Sequence, residues 1–311
     1  MQPTQRVFLM TVGLIAATCG CASGEKRYAI IHTDDAGMSH SVNLATIEGM
    51  EKGVVSSCSI MVPCAWFPEM ARYAKEHPEK DYGIHLTLTS EWDDYRWGPV
   101  APPSKVPSLI DEQGYLWDNS ELVAKNAKAE EVEIELRAQI DRAKAFGVPL
   151  THLDSHMGAL FTRPDLTQVY VKVGLEYDLP VLFIRASAEA LKKERPALAA
   201  IAERTIAKLD AAGFPILDAL DTNNYGVAPD KKKAYYLKLL KGLKPGVTEI
   251  IIHVGHADAE LNAITSSSAR RDADLRVFTD PEVIATIQEL GIEVITWKQF
   301  RKLVAESKSG G

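Results

Sequence analysis

The chain is poor in the features that mark several large function classes. Of its 311 residues only 4 are cysteine and no C-x-x-C occurs, so neither a dithiol redox motif nor a cysteine-ligated zinc site is available. Positive charge is in deficit, with Lys+Arg 35 against Asp+Glu 42, a net charge of -7 and a pI near 5.7. Non-specific affinity for nucleic acid comes from Lys and Arg displacing counterions, so nucleic acid is excluded as a partner class. A P-loop, a Ser nucleophile elbow and H-E-x-x-H are all missing, which removes the usual markers of nucleotide, covalent serine and zincin chemistry. There is no run of about 20 apolar residues able to span a bilayer. What is abundant is core material. Hydrophobic residues make up 46% of the chain, enough for a large packed interior, and the length suits a single domain of the α/β barrel size.

The amino terminus is set apart from this interior. Residues 7–19 form an apolar run behind Arg6, followed by the small residues Thr18, Cys19, Gly20, Cys21, Ala22, Ser23 and Gly24. Residues 1–24 therefore read as a secretory signal, and the protein is expected outside the cytoplasm, in the periplasm or beyond the cell. Cys21 after Gly20 resembles a lipoprotein cleavage box, which would leave the protein anchored through a lipidated Cys21. Thr18 stands where that box usually has Leu, and ordinary cleavage near Ala22 is the alternative. Of the cysteines, Cys58 and Cys64 then remain, six positions apart and roughly 20 Å if extended, and they read as two buried thiols.

Short apolar runs alternate with longer amphipathic ones. Strands are expected over 28–33, 54–62, 82–88, 150–153, 181–184, 215–217, 248–253 and 292–296, and helices over 40–52, 121–146, 165–177, 187–212, 231–243 and 281–290. Asp280 and Pro281 give the last helix a cap and a first-turn proline. The alternation predicts a parallel α/β architecture: a single (β/α) barrel over 25–305, regular or irregular, with seven or eight strands, and a flexible tail at 306–311. A doubly wound open sheet is the second choice, but no glycine-rich phosphate turn follows the first strand. Residues 89–119 interrupt the rhythm with Pro99, Pro102, Pro103 and Pro107 among Trp92, Tyr95, Trp97, Tyr115 and Trp117, and long aromatic loops are usually functional.

Set against this strand map, Asp34, Asp35, His85, His152, Asp154, His156 and His253 all fall within or near strand ends, mostly the carboxyl ends. In a barrel those ends share one mouth. A lone His or Asp there is ordinarily a structural residue or a turn cap, but four such strands converging with carboxylates and imidazoles point to a divalent metal.

Several blocks carry a resemblance. The segments 28–39 (YAIIHTDDAGMS), 54–62 (VVSSCSIMV), 83–89 (GIHLTLT), 151–156 (THLDSH) and 249–256 (EIIIHVGH) resemble, in order, those of the YdjC-like carbohydrate deacetylases, a family that includes chitooligosaccharide deacetylase. The resemblance covers nearly the whole mature chain. It implies that Asp35, His85 and His156 bind the metal, that Asp34 is the catalytic base, that His253 lies in the site, and that magnesium is the ion and a homodimer the assembly. The chain departs from the pattern after His156, where further histidines at alternate positions give way to Met157, Gly158, Ala159 and Leu160, and at Ala36, where Phe is usual. A reshaped substrate pocket follows from both.

The chemistry agrees with these roles. Two imidazoles and one carboxylate leave coordination positions open, as a catalytic site requires, and these ligands suit zinc or another transition metal better than magnesium. A metal-bound water can have its pKa lowered to about 7. In an extended strand Asp34 and Asp35 point to opposite faces, so both reach one site only if the strand has ended by Asp34. His253 is the expected acid for the departing amine. His152 or Asp154 is expected to support a metal-bound imidazole from behind. Trp92 and Trp97 are candidates for stacking on a sugar, and Arg271 for orienting Asp34 or binding an acidic sugar, against solvated charge in a polar loop. The expected function is removal of acetyl groups from N-acetylated sugars or oligosaccharides; an ester or phosphoester hydrolase and an inactive sugar-binding protein are the alternatives.

Overall fold

The computed structural model describes residues 26–185, 188–189, 192–193 and 196–309; the expected signal segment and Cys21 lie outside them. Seven parallel strands carry the fold: β1 (Arg27–Ala36), β2 (Ser57–Ile60), β3 (Tyr82–Leu86), β4 (Leu150–Ser155), β5 (Ala219–Asp221), β6 (Gly246–Ile252) and β7 (Ile292–Val294). Between and after them run α1 (His40–Lys52), α2 (Phe67–Glu76), α3 (Ser120–Asn126), α4 (Ala129–Ala145), α5 (Pro164–Tyr177), α6 (Pro196–Ala211), α7 (Lys232–Lys241), α8 (Ala259–Ile264), α9 (Ser268–Phe278), α10 (Pro281–Glu289) and α11 (Trp297–Ser309). The last helix continues into the stretch expected as a tail. No helix among the described residues is long and apolar enough to cross a membrane. Cys58 and Cys64 are buried free thiols.

The expectation of a closed (β/α) barrel is overturned. The hydrogen-bonded order is β4-β3-β2-β1-β6-β5, with β7 paired to β1, so the sheet curls into a half-barrel whose ladder stops at β4 on one side and β5 on the other. Two runs expected as strands fall in this seam and contribute only single bridges, Leu153 to Val181 and Ile184 to Leu217. Each run is short and begins beside a proline, Pro180 and Pro215, which cannot donate to a ladder. The long α4 segment is also interrupted: the helix expected over 121–146 breaks at Ala127 and Lys128. There the Arg163 guanidinium takes the carbonyls of Ala124 and Ala127, and Ser108 Oγ accepts the Lys128 amide.

β1 sits at the centre and shows how the sheet sorts its side chains. Ala29 and Ile31 pack with Ile250 and Ile252 of β6 against α7, α9 and α10, while Ile30 faces the other way, into a cluster with Val247, Ile251 and Trp297. With a period of two, His32 and Asp34 follow Ile30 onto the concave side. Two strands share one edge of β1, because β7 pairs with residues 27–29 and β2 with 32–36. Ser56 fills the junction, its hydroxyl donating to the Ile295 carbonyl and accepting from the Ile31 amide.

Candidate metal centre and catalytic cavity

Asp35 should alternate away from Asp34, and the backbone prevents it. The β1–β2 register slips between Thr33 and Ala36, and Asp35 adopts φ 69°, in the left-handed region where Asp is one of the few tolerated residues. This bulge turns both carboxylates to the concave side. Gly37, at φ 88°, completes the turn, and a β-carbon there would press on Ile60, Met61 and Phe67 at 3.2–3.3 Å in a backbone conformation that favours glycine.

At this position Asp35, His85 and His156 present ligand atoms within 4.8 Å of one another. Asp35 Oδ1 lies 3.4 Å from His85 Nε2 and 3.4 Å from His156 Nδ1, and it makes no hydrogen bond among the described residues. Ligands about 2.0–2.1 Å from a tetrahedral centre lie about 3.4 Å apart, so two imidazole nitrogens and one orphaned carboxylate oxygen fit a divalent cation. The far nitrogen of each ring is occupied: His85 Nδ1 meets Asp154 Oδ1 at 2.6 Å, and His156 Nε2 meets both oxygens of Glu91 at 3.1 Å. Such carboxylate partners fix a tautomer and aim the other nitrogen at the metal. Asp154, rather than His152, is therefore the support of His85. His152 lies deeper, stacked on Trp297 at 4.9 Å, its ring in the space a β-carbon on Gly83 would need. The carboxylates and rings here also form two overlapping groups, Asp34 with His85 and Asp154, and His32 with His152 and Asp154.

Asp34 has two unlike oxygens. Oδ1 faces inward, 3.2 Å from His32 Nε2 and 3.4 Å from Ser59 Oγ; Oδ2 lies 3.6 Å from His85 Nε2 and 3.8 Å from His253 Nε2. His32, fully buried, also approaches Asp154 at 3.1 Å and Glu249 at 3.4 Å. Burial opposes charge on this ring, but Asp154, Asp34 and Glu249 raise its pKa well above the ordinary value. Burial likewise opposes ionisation of Asp35, yet the Arg271 guanidinium and His156 hold its carboxyl well below the usual range. Asp154 is lowered against its own burial by His85 and His32. Burial pushes the His253 ring down, towards the neutral form, and the Glu249 carboxyl up to about 8.

Arg271 is 2% exposed and lies on α9 rather than in a polar loop; its Nη2 donates to Asp35 Oδ2 at 2.6 Å, not to Asp34. Of the aromatic candidates, Trp92 lines the cavity. Trp97 does not: it is 5% exposed, and its indole N-H donates to the Thr89 carbonyl. His32 and Glu91 are absent from the sequence reading. His32 had a signal, standing two residues before Asp34 and hence on its face; Glu91, in an irregular loop, had none.

These groups floor a cavity of about 490 Å³, walled higher up by Trp92, Met157, Phe161, Leu220 and Tyr225. The chain is 35% identical to a carbohydrate deacetylase of Thermus thermophilus over 280 residues, covering 90% of this chain and 96% of that protein. It is 31% identical to a carbohydrate deacetylase of Geobacillus stearothermophilus, over 89% of this chain and 99% of the relative. A solved structure from Enterococcus faecalis, described as a cellobiose-phosphate cleavage protein, is 25% identical with a TM-score of 0.73, covering 88% of this chain and 98% of its own. The model of the family described as YdjC-like protein matches residues 28–289, and the chain belongs to that family.

Proposed function

We propose that the protein is a divalent-metal-dependent hydrolase, exported from the cytoplasm, that removes acetyl groups from N-acetylated sugars or oligosaccharides. The observation that carries this reading is the orphaned Asp35 Oδ1 between two imidazole nitrogens, with Asp34 Oδ2 beside it in the floor of an aromatic-walled cavity. The carbohydrate deacetylases among the relatives support the substrate class.

A divalent ion held by Asp35, His85 and His156 would supply Lewis acidity and a water of lowered pKa. His32 and Ser59 hold Oδ1 of Asp34, which leaves Oδ2 to take a proton from the attacking water as its oxygen bonds to the amide carbonyl carbon. When the C-N bond breaks, the sugar nitrogen needs a proton, and His253 Nε2 stands 3.8 Å from the oxygen that has just received one. Because burial favours the neutral ring, the proton His253 delivers is the one passed from Asp34. Acetate and a free amine result. Arg271 keeps Asp35 ionised and fixed while this happens.

The test is acetate release from a panel of N-acetylated mono- and oligosaccharides by metal-loaded protein, chelated protein and Asp34→Asn. Release that requires both the metal and Asp34 is expected. Stoichiometric metal binding without release from any member would sink the reading.

A further inference from the structure

The catalytic cavity does not end at its own walls. A second space of about 370 Å³ adjoins it, and Phe161, Leu182 and Leu220 line both. It lies against the seam of the half-barrel between β4 and β5, on Leu182, Phe183 and Ile184, and α6 roofs it with Leu198, Ile201 and Ala202.

The lining is unusual in what it withholds. Among the described residues no charged side chain lines this groove. The three hydroxyls among those described residues are spent on the protein's own turns: Thr162 donates to the Ala159 carbonyl, Thr167 to that of Leu160, and Thr205 to that of Ile201. A second sugar ring placed there would leave its hydroxyls without donors, at the cost that attends unpaired polar groups. A hydrocarbon chain loses nothing by the same transfer and gains with every methylene removed from water. Phe161, 43% exposed at the junction of the two spaces, is a large apolar surface left open at the point where such a chain would enter.

We propose that this groove is a subsite for an alkyl chain attached to the sugar, so that the preferred substrates are amphiphilic N-acetylated glycosides rather than free sugars. The inference rests on the deacetylase reading. Its polarity follows from the sheet: His253, which meets the departing amine, closes β6, and β5 pairs with β6 and contributes Leu220. The sugar side of the scissile bond therefore faces the seam, while the loop bearing Glu91 and Trp92 contributes a different part of the wall.

The experiment compares kcat/KM of the full metal-loaded protein on the methyl and hexyl glycosides of N-acetylglucosamine, below micelle formation, and on the methyl glycoside bearing N-hexanoyl in place of N-acetyl. An advantage of about tenfold or more for the hexyl glycoside, residing in KM, is expected. Ala202→Trp and Leu198→Asp, in the groove and not in the cavity, should each cut that advantage below about twofold; the partly exposed Leu198 serves should Ala202→Trp fail to fold. Equal rates on the two glycosides, an advantage that survives Leu198→Asp, or a preference for N-hexanoyl overturns the proposal. If neither glycoside is hydrolysed, the deacetylase reading fails separately. Calorimetry then decides the groove, tighter binding of the hexyl glycoside supporting it and equal binding ending it.

Discussion

Single side chains at this site are specified to the level of individual oxygens. In the proposed reaction Asp34 serves as the base because one of its oxygens is tied down and the other is not, and replacing it with Asn would remove the proton acceptor while leaving shape and the proposed metal ligands in place. Asp34→Asn should lower kcat by about 10²- to 10⁴-fold with metal still bound stoichiometrically, as read by steady-state kinetics and metal analysis. Glu91 acts one bond further out. Without its carboxylate the His156 ring is free to turn, so Glu91→Ala should weaken metal affinity by about 10- to 100-fold, measured by calorimetry on the substrate-free protein, while Glu91→Gln, which can still accept from Nε2, should retain most of it. Glu249 illustrates the cost of burial. Its pKa rises from the ordinary 4.5 to about 8 in the folded protein, so the native state holds a proton that the unfolded chain releases. Stability is then highest below pH 4.5 for this group and falls as pH rises towards 8. Glu249→Gln keeps an acceptor for the Trp297 indole and should melt with a flatter dependence on pH across that interval.

At the scale of elements, strand ends decide what residues can do. The sequence allowed Asp34 and Asp35 one site only if the strand had ended by Asp34; β1 instead runs on to Ala36, and the left-handed Asp35 with its register slip turns both carboxylates to one side within it. Gly83 in β3 is bound in the same way to its neighbour, since an added β-carbon would stand 2.4 Å from His152 Nε2 with Trp297 stacked behind the ring. Gly83→Ala should cost about 1–3 kcal/mol, visible as a lowered melting temperature, and an unchanged melt would mean that β3 and β4 can part without penalty. Helices were less legible. The helix expected over 121–146 carries no breaker in its own sequence; it is interrupted by Arg163, a residue outside it, which competes for its carbonyls. Arg271 read as solvated charge because Arg270 and Asp272 flank it, yet α9 turns it inward onto Asp35. Local pattern records a residue's neighbours in the chain and not the carboxylate that will face it.

Across the whole molecule, folding concentrates charge in one place: Asp34, Asp35, His32, His85, Asp154, His156 and Arg271 are all buried, and they come from β1, β3, the end of β4 and α9, four regions distant in sequence. A cation that binds only the assembled site must stabilise the fold, so loading a divalent metal at 100 times its Kd should add about 2.7 kcal/mol and raise the melting temperature, with chelation reversing the gain. A melt indifferent to metal would show that the ligands gather equally well without one. The sequence by itself determined the alternating parallel strands, the family, and the identity of the residues that meet at the strand ends, because each of these is written in local periodicity and in motif order. Tertiary structure alone decided that the sheet stays open between β4 and β5, that Asp154 and not His152 supports His85, that Glu91 faces His156, and that Trp97 is buried. Those outcomes depend on which surfaces meet after the strands have paired: the seam stays open because two short, proline-led runs cannot extend a ladder, and a side chain's partner is set by the neighbouring strand's register.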